Sequence, residues 1–222
     1  GSISAHASFA FNPRFQLYSD LLATYEEQTQ STLPSWSGTI YDAASSNLYL
    51  VTRNFAPEEL GGEAFQKQYE TNVSWAVGGK GQFGDGWNYD LSLNLGLDRM
   101  TIRQGGLLAD TVAGSYGSRV TGEGNPGGLP AYDLLYTPLT PAEYSRYAGY
   151  AGIQAGTDDD VARAMLTQTS LFSLPAGDVG LAAVVEGGYQ AWQYAPAAAF
   201  VDGALSQLYI QPSQGHRTRW AT

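Results

Sequence analysis

The sequence predicts an all-β fold, an antiparallel β-meander of long hairpins. Three observations predict it: long alternating stretches, tight turns between them, and long polar connections elsewhere. The clearest alternation lies in the stretch GQFGDGWNYDLSLNLGLD, residues 81–98, where apolar side chains occupy every second position from Trp87 to Leu97. A period of two is typical of a β-strand with one apolar face. This strand runs for about twelve residues, roughly twice the mean strand length of soluble domains.

Turn residues divide the alternating stretches into three hairpins. A turn at residues 84–86 joins the strand just described to an alternating stretch over residues 69–83. Comparable stretches flank turns at residues 12–14 and 175–177, although the alternation is weak over residues 162–174. The last residues, GHRTRWAT, begin a further strand. We therefore expect six strands and the start of a seventh in one unit that spans residues 1–222.

Two much longer connections join the hairpins, over residues 32–63 and 105–160. Both are rich in Gly, Pro, Ser and Asp, and the second is far longer than the loops of compact soluble domains. Short turns at one end of a sheet and long loops at the other are typical of outer-membrane barrels. The sequence therefore predicts a segment of a transmembrane β-barrel, with extracellular-type loops at 32–63 and 105–160.

The long loops contain small elements of their own. The segment TIYDAASSNLYLVTR predicts a small hairpin, and Pro57 begins a predicted single turn of helix that Gly61 ends. Thr140, followed by Pro141 and Glu143, forms a capping-box pattern. This pattern predicts a short helix over residues 141–149.

Aromatic side chains flank the three hairpin turns. In a barrel they would form the aromatic girdle at one membrane interface. In a soluble sheet the same side chains would pair across neighbouring strands. The residues concerned are Phe11, Phe15, Phe83, Trp87 and Phe172.

Composition excludes several classes of protein. The formal net charge is −10 and no basic stripe is present, so nucleic acid is not an expected partner. The chain has no cysteine and no apolar run long enough for a membrane helix. Any membrane role must therefore use β-structure.

Catalytic motifs are not recognisable in the sequence. GEGNPG, residues 122–127, matches a dinucleotide-binding pattern but is followed by further loop residues rather than a helix. His6 and His216 have no carboxylate at metal-ligand spacing, and no nucleophile motif occurs. We expect neither enzymatic activity nor a cofactor.

The alternation also yields candidate site residues. Even-numbered residues in 68–82 and 88–98 are expected to face the lumen or solvent, and odd ones the lipid or a core. Lumen-facing candidates are Asp90, Asn94 and Glu186, although in a soluble sheet Glu186 would simply face solvent. Candidate ligand-binding residues in the loops are Tyr41, Tyr49, Asp133 and Tyr136. Asp158 and Asp160 are the nearest approach to a metal site, but their spacing favours a solvated charge cluster and no metal is expected.

Four stretches carry a family resemblance. They are TRNFAPEELGG (52–62), WAVGGKGQFGDGWNYDLSLNLG (75–96), YTPLTPAEY (136–144) and LFSLPAGDVGLAAVVEGGYQAW (171–192). In order and approximate spacing they resemble the TonB-dependent outer-membrane receptors, in the branch common in xanthomonad-type and related proteobacteria. The resemblance implies a barrel of about 22 strands around a plug, which imports a small nutrient such as a siderophore or a carbohydrate.

The chain departs from that family in what it lacks. No plug domain and no TonB-contacting segment are recognisable, and about eight strands are the fewest that usually close a membrane barrel. We therefore expect an internal barrel segment in the bacterial outer membrane. Its expected partners are outer-membrane lipid, a small-molecule ligand, the TonB complex through a region not in this chain, and other barrel strands or a second chain at the edges near Ile3 and Trp220. The alternative is a soluble or secreted β-rich binding module that presents the same loops to a partner and buries its apolar face in a core.

Overall fold

A computed structural model describes residues 1–31, 33–42, 46–61, 65–116, 136–205 and 209–222. Within these residues the strands, in chain order, are β1 (Ser2–Asn12), β2 (Phe15–Ser31), β3 (Ser35–Asp42), β4 (Asn47–Asn54), β5 (Phe65–Phe83), β6 (Trp87–Leu107), β7 (Ala148–Leu174), β8 (Gly177–Pro196) and β9 (Ser213–Ala221). The helices in the same residues are short: α1 (Ala109–Tyr116), α2 (Pro141–Tyr144) and α3 (Ala198–Val201). No helix in this described part of the chain is both long and apolar enough to cross a membrane.

The fold is all-β, as predicted. Seven strands form one sheet in the order β1-β2-β5-β6-β7-β8-β9, and every neighbouring pair is antiparallel. The sheet is therefore a meander, in which β3 and β4 form a separate hairpin between β2 and β5. The three predicted hairpins, the predicted small hairpin and the seventh strand are confirmed. We call the end of the sheet with the three tight turns the turn end, and the opposite end the loop end.

Glycine and one glutamine fix the turn between β5 and β6. Gly84 and Gly86 have φ angles of +53° and +80°, in the left-handed region that favours glycine. Gln168 of β7 is buried, and its side-chain amide donates a hydrogen bond to the carbonyl of Asp85. A Cβ atom on Gly86 would lie 2.8 Å from Gln168 Oε1, so a larger residue there would displace this glutamine side chain.

Strand register gives the sheet two chemically distinct faces. Directly paired residues share a face, so Val77, Leu93 and Ala162 lie on one side, and Ala76, Asn94 and Val161 lie on the other. We call the first the apolar face, which also carries Leu91 and Val185. We call the second the polar face, which also carries Asp90 and Glu186. The predicted parity over residues 68–82 and 88–98 agrees with this register.

The apolar face is the more exposed of the two. Leu91, Leu93 and Val185 expose 53%, 40% and 50% of their surface, whereas Asp90 and Asn94 on the polar face are only partly exposed. The whole chain exposes 14055 Å² at a mass of 23.8 kDa. A compact monomer of that mass exposes roughly 9,900 Å². The described residues do not supply a second layer over the apolar face.

The extent of the second long loop was predicted wrongly. Residues 148–160, placed in that loop, form the first half of β7, and residues 105–107 belong to β6. The sequence pattern does not reveal this strand, because small and polar residues such as those of GTDDD do not alternate with apolar ones. Its backbone pairing with β6 does not depend on apolar side chains. The predicted helix over 141–149 is correspondingly short, and α2 ends at Tyr144. Residues 57–61 form consecutive turns rather than helix, and Gly61 ends them with a φ of +57°.

Candidate functional site

The polar face carries the three predicted lumen-facing residues, Asp90 and Asn94 on β6 and Glu186 on β8, with β7 between these two strands. Asp90 accepts a hydrogen bond from the Tyr18 hydroxyl, with an O–O distance of 2.8 Å. Tyr18 reaches from β2 across β5 to β6, and a Cβ atom on Gly78 would lie 2.5 Å from its ring. The Lys80 ammonium lies 5.6 Å from the centre of the same ring. These contacts hold Asp90 in a network of fixed polar groups near the turn end.

Glu186 lies in a second charged group on the polar face. Arg219 of β9 places its Nε atom 3.9 Å from Glu186 and its Nη2 atom 3.7 Å from Asp159. Arg163 is the direct cross-strand partner of Glu186 on β7. Asn94 lies between the two groups, beside Val161. The polar face therefore presents alternating carboxylates, amides and guanidinium groups, which suit hydrogen bonding to a polar solute.

A buried ion pair organises the loops. The Arg53 Nη2 atom lies 2.5 Å from Glu59 Oε1, and both side chains are almost fully buried. Glu59 also accepts hydrogen bonds from the backbone N–H groups of Ala56 and Leu139, and Arg53 donates to the carbonyl of Thr137. The carboxylate is thus paired and hydrogen-bonded, as a buried charge must be. The pair connects two loop segments that are distant in sequence.

Apolar side chains complete this assembly, which we call the loop cap: β3, β4, residues 55–61, α1 and residues 137–147. Phe55 packs against Tyr144 with ring centroids 5.3 Å apart, and the Arg53 guanidinium lies 4.8 Å from the Phe55 ring. The other buried members are Trp36, Leu60, Leu107 and Val112. The two stretches TRNFAPEELGG and YTPLTPAEY therefore meet in the loop cap, where each supplies part of the same core.

The predicted capping box at α2 is confirmed. Thr140 Oγ1 accepts a hydrogen bond from the Glu143 N–H, and Glu143 accepts hydrogen bonds from the Thr140 N–H and hydroxyl. The bond from the Thr140 backbone, followed by the bond from its hydroxyl, lowers the pKa of Glu143 below its usual value. Burial in the loop cap raises the pKa of the neighbouring Tyr144 above the usual range of tyrosine.

A second segment, residues 197–205, covers the polar face at its loop end. Phe200 of α3 is fully buried against Ile153, whose direct partner on β6 is Ile102. The Ala197 N–H donates to the carbonyl of Gly152, and Leu205 bridges to Leu108. At the loop end, therefore, the side chains of the polar face are apolar and lie under residues 197–205. The polar side chains of this face lie between that segment and the tight turns.

Two of the four loop candidates, Tyr49 and Tyr136, have side chains in the described part of the chain. Tyr49 lies on β4 with about half of its surface exposed, and Tyr136 is exposed just before the loop cap. The backbone of Tyr41 lies in β3, but its side chain falls outside the described residues, as does Asp133. The segment GEGNPG, residues 122–127, lies outside them as well.

The aspartate run is not a loop cluster. Asp158, Asp159 and Asp160 lie in β7, so Asp158 and Asp160 are on the apolar face and Asp159 is on the polar face. Asp158 forms an ion pair with Arg99, with a distance of 2.7 Å to Arg99 Nη2. No group of three or more potential metal ligands occurs among the described residues. Strand geometry therefore keeps Asp158 and Asp160 on one face and places Asp159 on the other.

The two histidines acquire partners that their sequence positions do not reveal. His6 lies opposite Asp20, and its Nδ1 atom is 2.5 Å from Asp20 Oδ1. His216 stacks on Tyr189 at a centroid distance of 6.0 Å. Both histidines are near an edge of the sheet, and each contact is a pairing between neighbouring strands.

Aromatic rings gather at the turn end. Phe11 stacks on Phe15 at a centroid distance of 5.4 Å, and Phe83 stacks on Trp87 at 6.1 Å. Phe9 packs edge-on against Phe11. Phe172 is also exposed near the third turn. The rings therefore pair across strands, and Phe9, Phe11 and Phe83 are exposed as well.

Sequence reasoning missed the residues that order the loops. Arg53 and Glu59 lie six positions apart in the quoted stretch TRNFAPEELGG, and an opposite-charge pair beside Phe55 was an available signal for them. Neither a protein-family model, nor a curated protein, nor a solved structure matches this chain.

Proposed function

We propose that this chain is part of the wall of an outer-membrane receptor of the TonB-dependent kind, through which a small nutrient such as a siderophore or a carbohydrate is imported. The single observation that carries the proposal is the distribution of exposure over the sheet. Its apolar face is exposed along long strands, and its polar face is partly shielded. That is the arrangement of a barrel wall, with lipid outside and an aqueous lumen inside.

The dimensions of the apolar face support this proposal. On β6 the apolar band extends from Tyr89 to Leu97, which is about 27 Å at a rise of about 3.4 Å per residue. A strand tilted by about 40° would span roughly 21 Å of membrane thickness over that length, against about 25 Å for the apolar band of outer-membrane barrels.

The band also runs obliquely to the strands. On β6 it reaches Leu97, whose direct partner on β7 is Asp158. On β7 the apolar side chains of this face begin at Ala162, are interrupted by Gln168 and a register shift, and resume from Phe172 to Leu174 at the turn end. A planar membrane crossing tilted strands produces such a displacement from one strand to the next. This obliqueness favours a tilted barrel wall.

Strand direction restricts what completes the wall. In a seven-stranded meander β1 and β9 run in the same direction, so pairing them with each other would give a parallel contact. Copies that face the same way in a membrane would meet in the same parallel manner. Closed antiparallel barrels have an even number of strands. We therefore propose that β1 and β9 pair with an odd number of other strands, from a longer polypeptide or a different chain.

The loops define the entrance in this proposal. The loop cap and residues 197–205 lie at the loop end, where a solute would reach the polar face. Tyr49 and Tyr136 would contact the nutrient first, and Asp90, Asn94 and Glu186 would line its path. Contact with the TonB complex is assigned to a region not in this chain.

Detergent dependence tests the proposal. The chain is expected to fold only in micelles or lipid, and lipids that carry a bromine quencher in the acyl chain are expected to quench Trp75, on the apolar face, more than Trp192, on the polar face. A chain that remains monomeric and folded in plain buffer would instead be a soluble binding module with a covered face.

Edge pairing has its own test, because the chain contains no natural cysteine. Cysteines introduced as Ala7→Cys on β1 and Thr218→Cys on β9 are expected not to cross-link to each other. The matched control, Ala7→Cys with Ser19→Cys, joins direct partners on β1 and β2 and is expected to cross-link. A disulfide between positions 7 and 218 within one chain would refute the open edges.

A further inference from the structure

Two cations face each other on the apolar side of the sheet, beyond the apolar band toward the loop end. Lys67 of β5 and Arg103 of β6 are direct cross-strand partners. Like charges placed directly opposite each other destabilise a sheet. An anion between them would convert this repulsion into two attractive contacts.

Arg99, on the same face and strand as Arg103, is a cation whose charge is paired. It forms the ion pair with Asp158 and donates hydrogen bonds to the carbonyls of Asp98 and Thr157. Among the described side chains, Lys67 and Arg103 form no ion pair. Glu27 is diagonal to Lys67 by register, on β2, and does not form one either.

An aromatic ring, rather than a carboxylate, holds Arg103 in place. Its guanidinium carbon lies 4.7 Å from the centre of the Tyr150 ring, a cation–π contact that fixes the group. On β7 its direct partner is Gly152, and a Cβ atom built there would approach only the Ile102 carbonyl, at 3.9 Å. The space beside Arg103 is therefore open to a ligand.

The height of the pair above the apolar band restricts the ligand. From Leu97 to Arg103 the strand rises about 20 Å, which is about 15 Å along the membrane normal for a strand tilted by about 40°. The polar headgroup layer of a typical bilayer is only about 5–8 Å thick on each side. A phosphate attached directly to glycerol lies too low, whereas a phosphate on a sugar headgroup extends further.

We propose that Lys67 and Arg103 bind a phosphate on the sugar headgroup of a membrane glycolipid, whose acyl chains lie along the apolar face below. Arg103 offers a guanidinium fork and Lys67 a point charge to the same phosphate. The inference rests on the proposed membrane location of the sheet, and it adds a lipid site on the outside of the wall.

The test uses the full chain refolded in detergent micelles and titrated with phosphorylated lipopolysaccharide, with bound glycolipid measured by native mass spectrometry. Lys67→Gln with Arg103→Gln is expected to weaken binding by about tenfold or more, because charge-assisted hydrogen bonds are lost. The control, Arg14→Gln with Arg217→Gln, removes the same charge at the turn end and on the polar face, and is expected to bind as the unaltered chain does.

Three further arms identify the source of the phosphate. Dephosphorylated glycolipid and phosphatidylglycerol are each expected to bind about tenfold or more weakly, and excess inorganic phosphate is expected to compete only partly. Equal binding of the unaltered and doubly substituted chains in micelles would overturn this inference alone. A chain that folds in plain buffer and takes up no lipid would overturn the proposed function as well.

Discussion

Replacing Leu93 with Asp is expected to destabilise the folded sheet in a bilayer by about 3 kcal/mol. Leu93 lies in the middle of the apolar band of β6, in register with Val77 and Ala162. A charged side chain facing the bilayer centre costs about 2 kcal/mol for a carboxylate. Leu93 exposes 40% of its surface, so its lost packing contributes about 1 kcal/mol, half of the value for full burial.

The matched substitution is Asn94→Asp, one residue further along the same strand. Asn94 lies on the polar face beside Ala76 and Val161, so the new charge stays on the face that the proposed function assigns to the lumen. Its expected cost is below about 0.5 kcal/mol, as for most polar surface substitutions. The two variants are therefore expected to differ by on the order of a hundredfold in their folding equilibrium.

The assay is equilibrium unfolding by urea in lipid vesicles, followed by tryptophan fluorescence. Leu93→Trp separates lipid from a protein core, because a lipid-facing site accommodates the larger ring, whereas overpacking a core costs about 1–3 kcal/mol. Equal destabilisation by Leu93→Asp and Asn94→Asp would refute the assignment of faces. A large loss of stability in Leu93→Trp would place Leu93 in a protein core.

Three further predictions concern the loops and turns. Arg53→Met alone is expected to cost about 3–5 kcal/mol of local stability, because it leaves the Glu59 carboxylate buried and unpaired. Replacing both Arg53 and Glu59 with apolar residues is expected to cost less. Proteolysis of the loop cap measures the stability of the two variants, and equal sensitivity to the protease would contradict the pairing. Gly86→Ala is expected to lower the unfolding midpoint more than Gly84→Ala, since both require a positive φ but only Gly86 lacks room for a Cβ, and equal midpoints in urea would show that the contact is relaxed. The folded-state pKa of Glu143 is lowered, so the capping box contributes its full stability above the pKa of an unfolded glutamate and loses it as the pH falls through the lowered value. Hydrogen exchange at the Thr140 N–H should follow this loss. Glu143→Gln should abolish the pH dependence.

Alternation predicted the sheet where one face is continuously apolar. Residues 87–98 and 69–83 have that pattern, and both the strands and their faces follow from it. The start of β7 lacks the pattern, since most residues of its first half are glycine, alanine and aspartate. Its place in the sheet depends on the hydrogen-bonding edge that β6 offers, which is information the local sequence does not contain.

The candidate site divides in the same way. Asp90, Asn94 and Glu186 share a face because strand parity is local information that register preserves. The Arg53–Glu59 pair needs Leu139 and Thr137 from a distant loop to complete its hydrogen bonds, so local sequence predicts neither its burial nor its partners. The opposite faces of Asp158 and Asp159 depended on recognising a strand that the pattern did not reveal.

The separation in sequence between the two halves of the loop cap sets an order for its assembly. Arg53 and Thr137 are 84 residues apart, and the strands β5, β6 and the start of β7 lie between or beside them. Bringing such distant segments together first would carry a large loop-closure entropy, whereas pairing β5 with β6 and β6 with β7 shortens the effective loop. The hydrogen bonds that join Arg53 to Thr137 and Leu139 to Glu59 are therefore expected to form late, once the hairpins are in place. Until those bonds form, the charges of Arg53 and Glu59 need not leave water, because their buried hydrogen-bond partners are not yet in place.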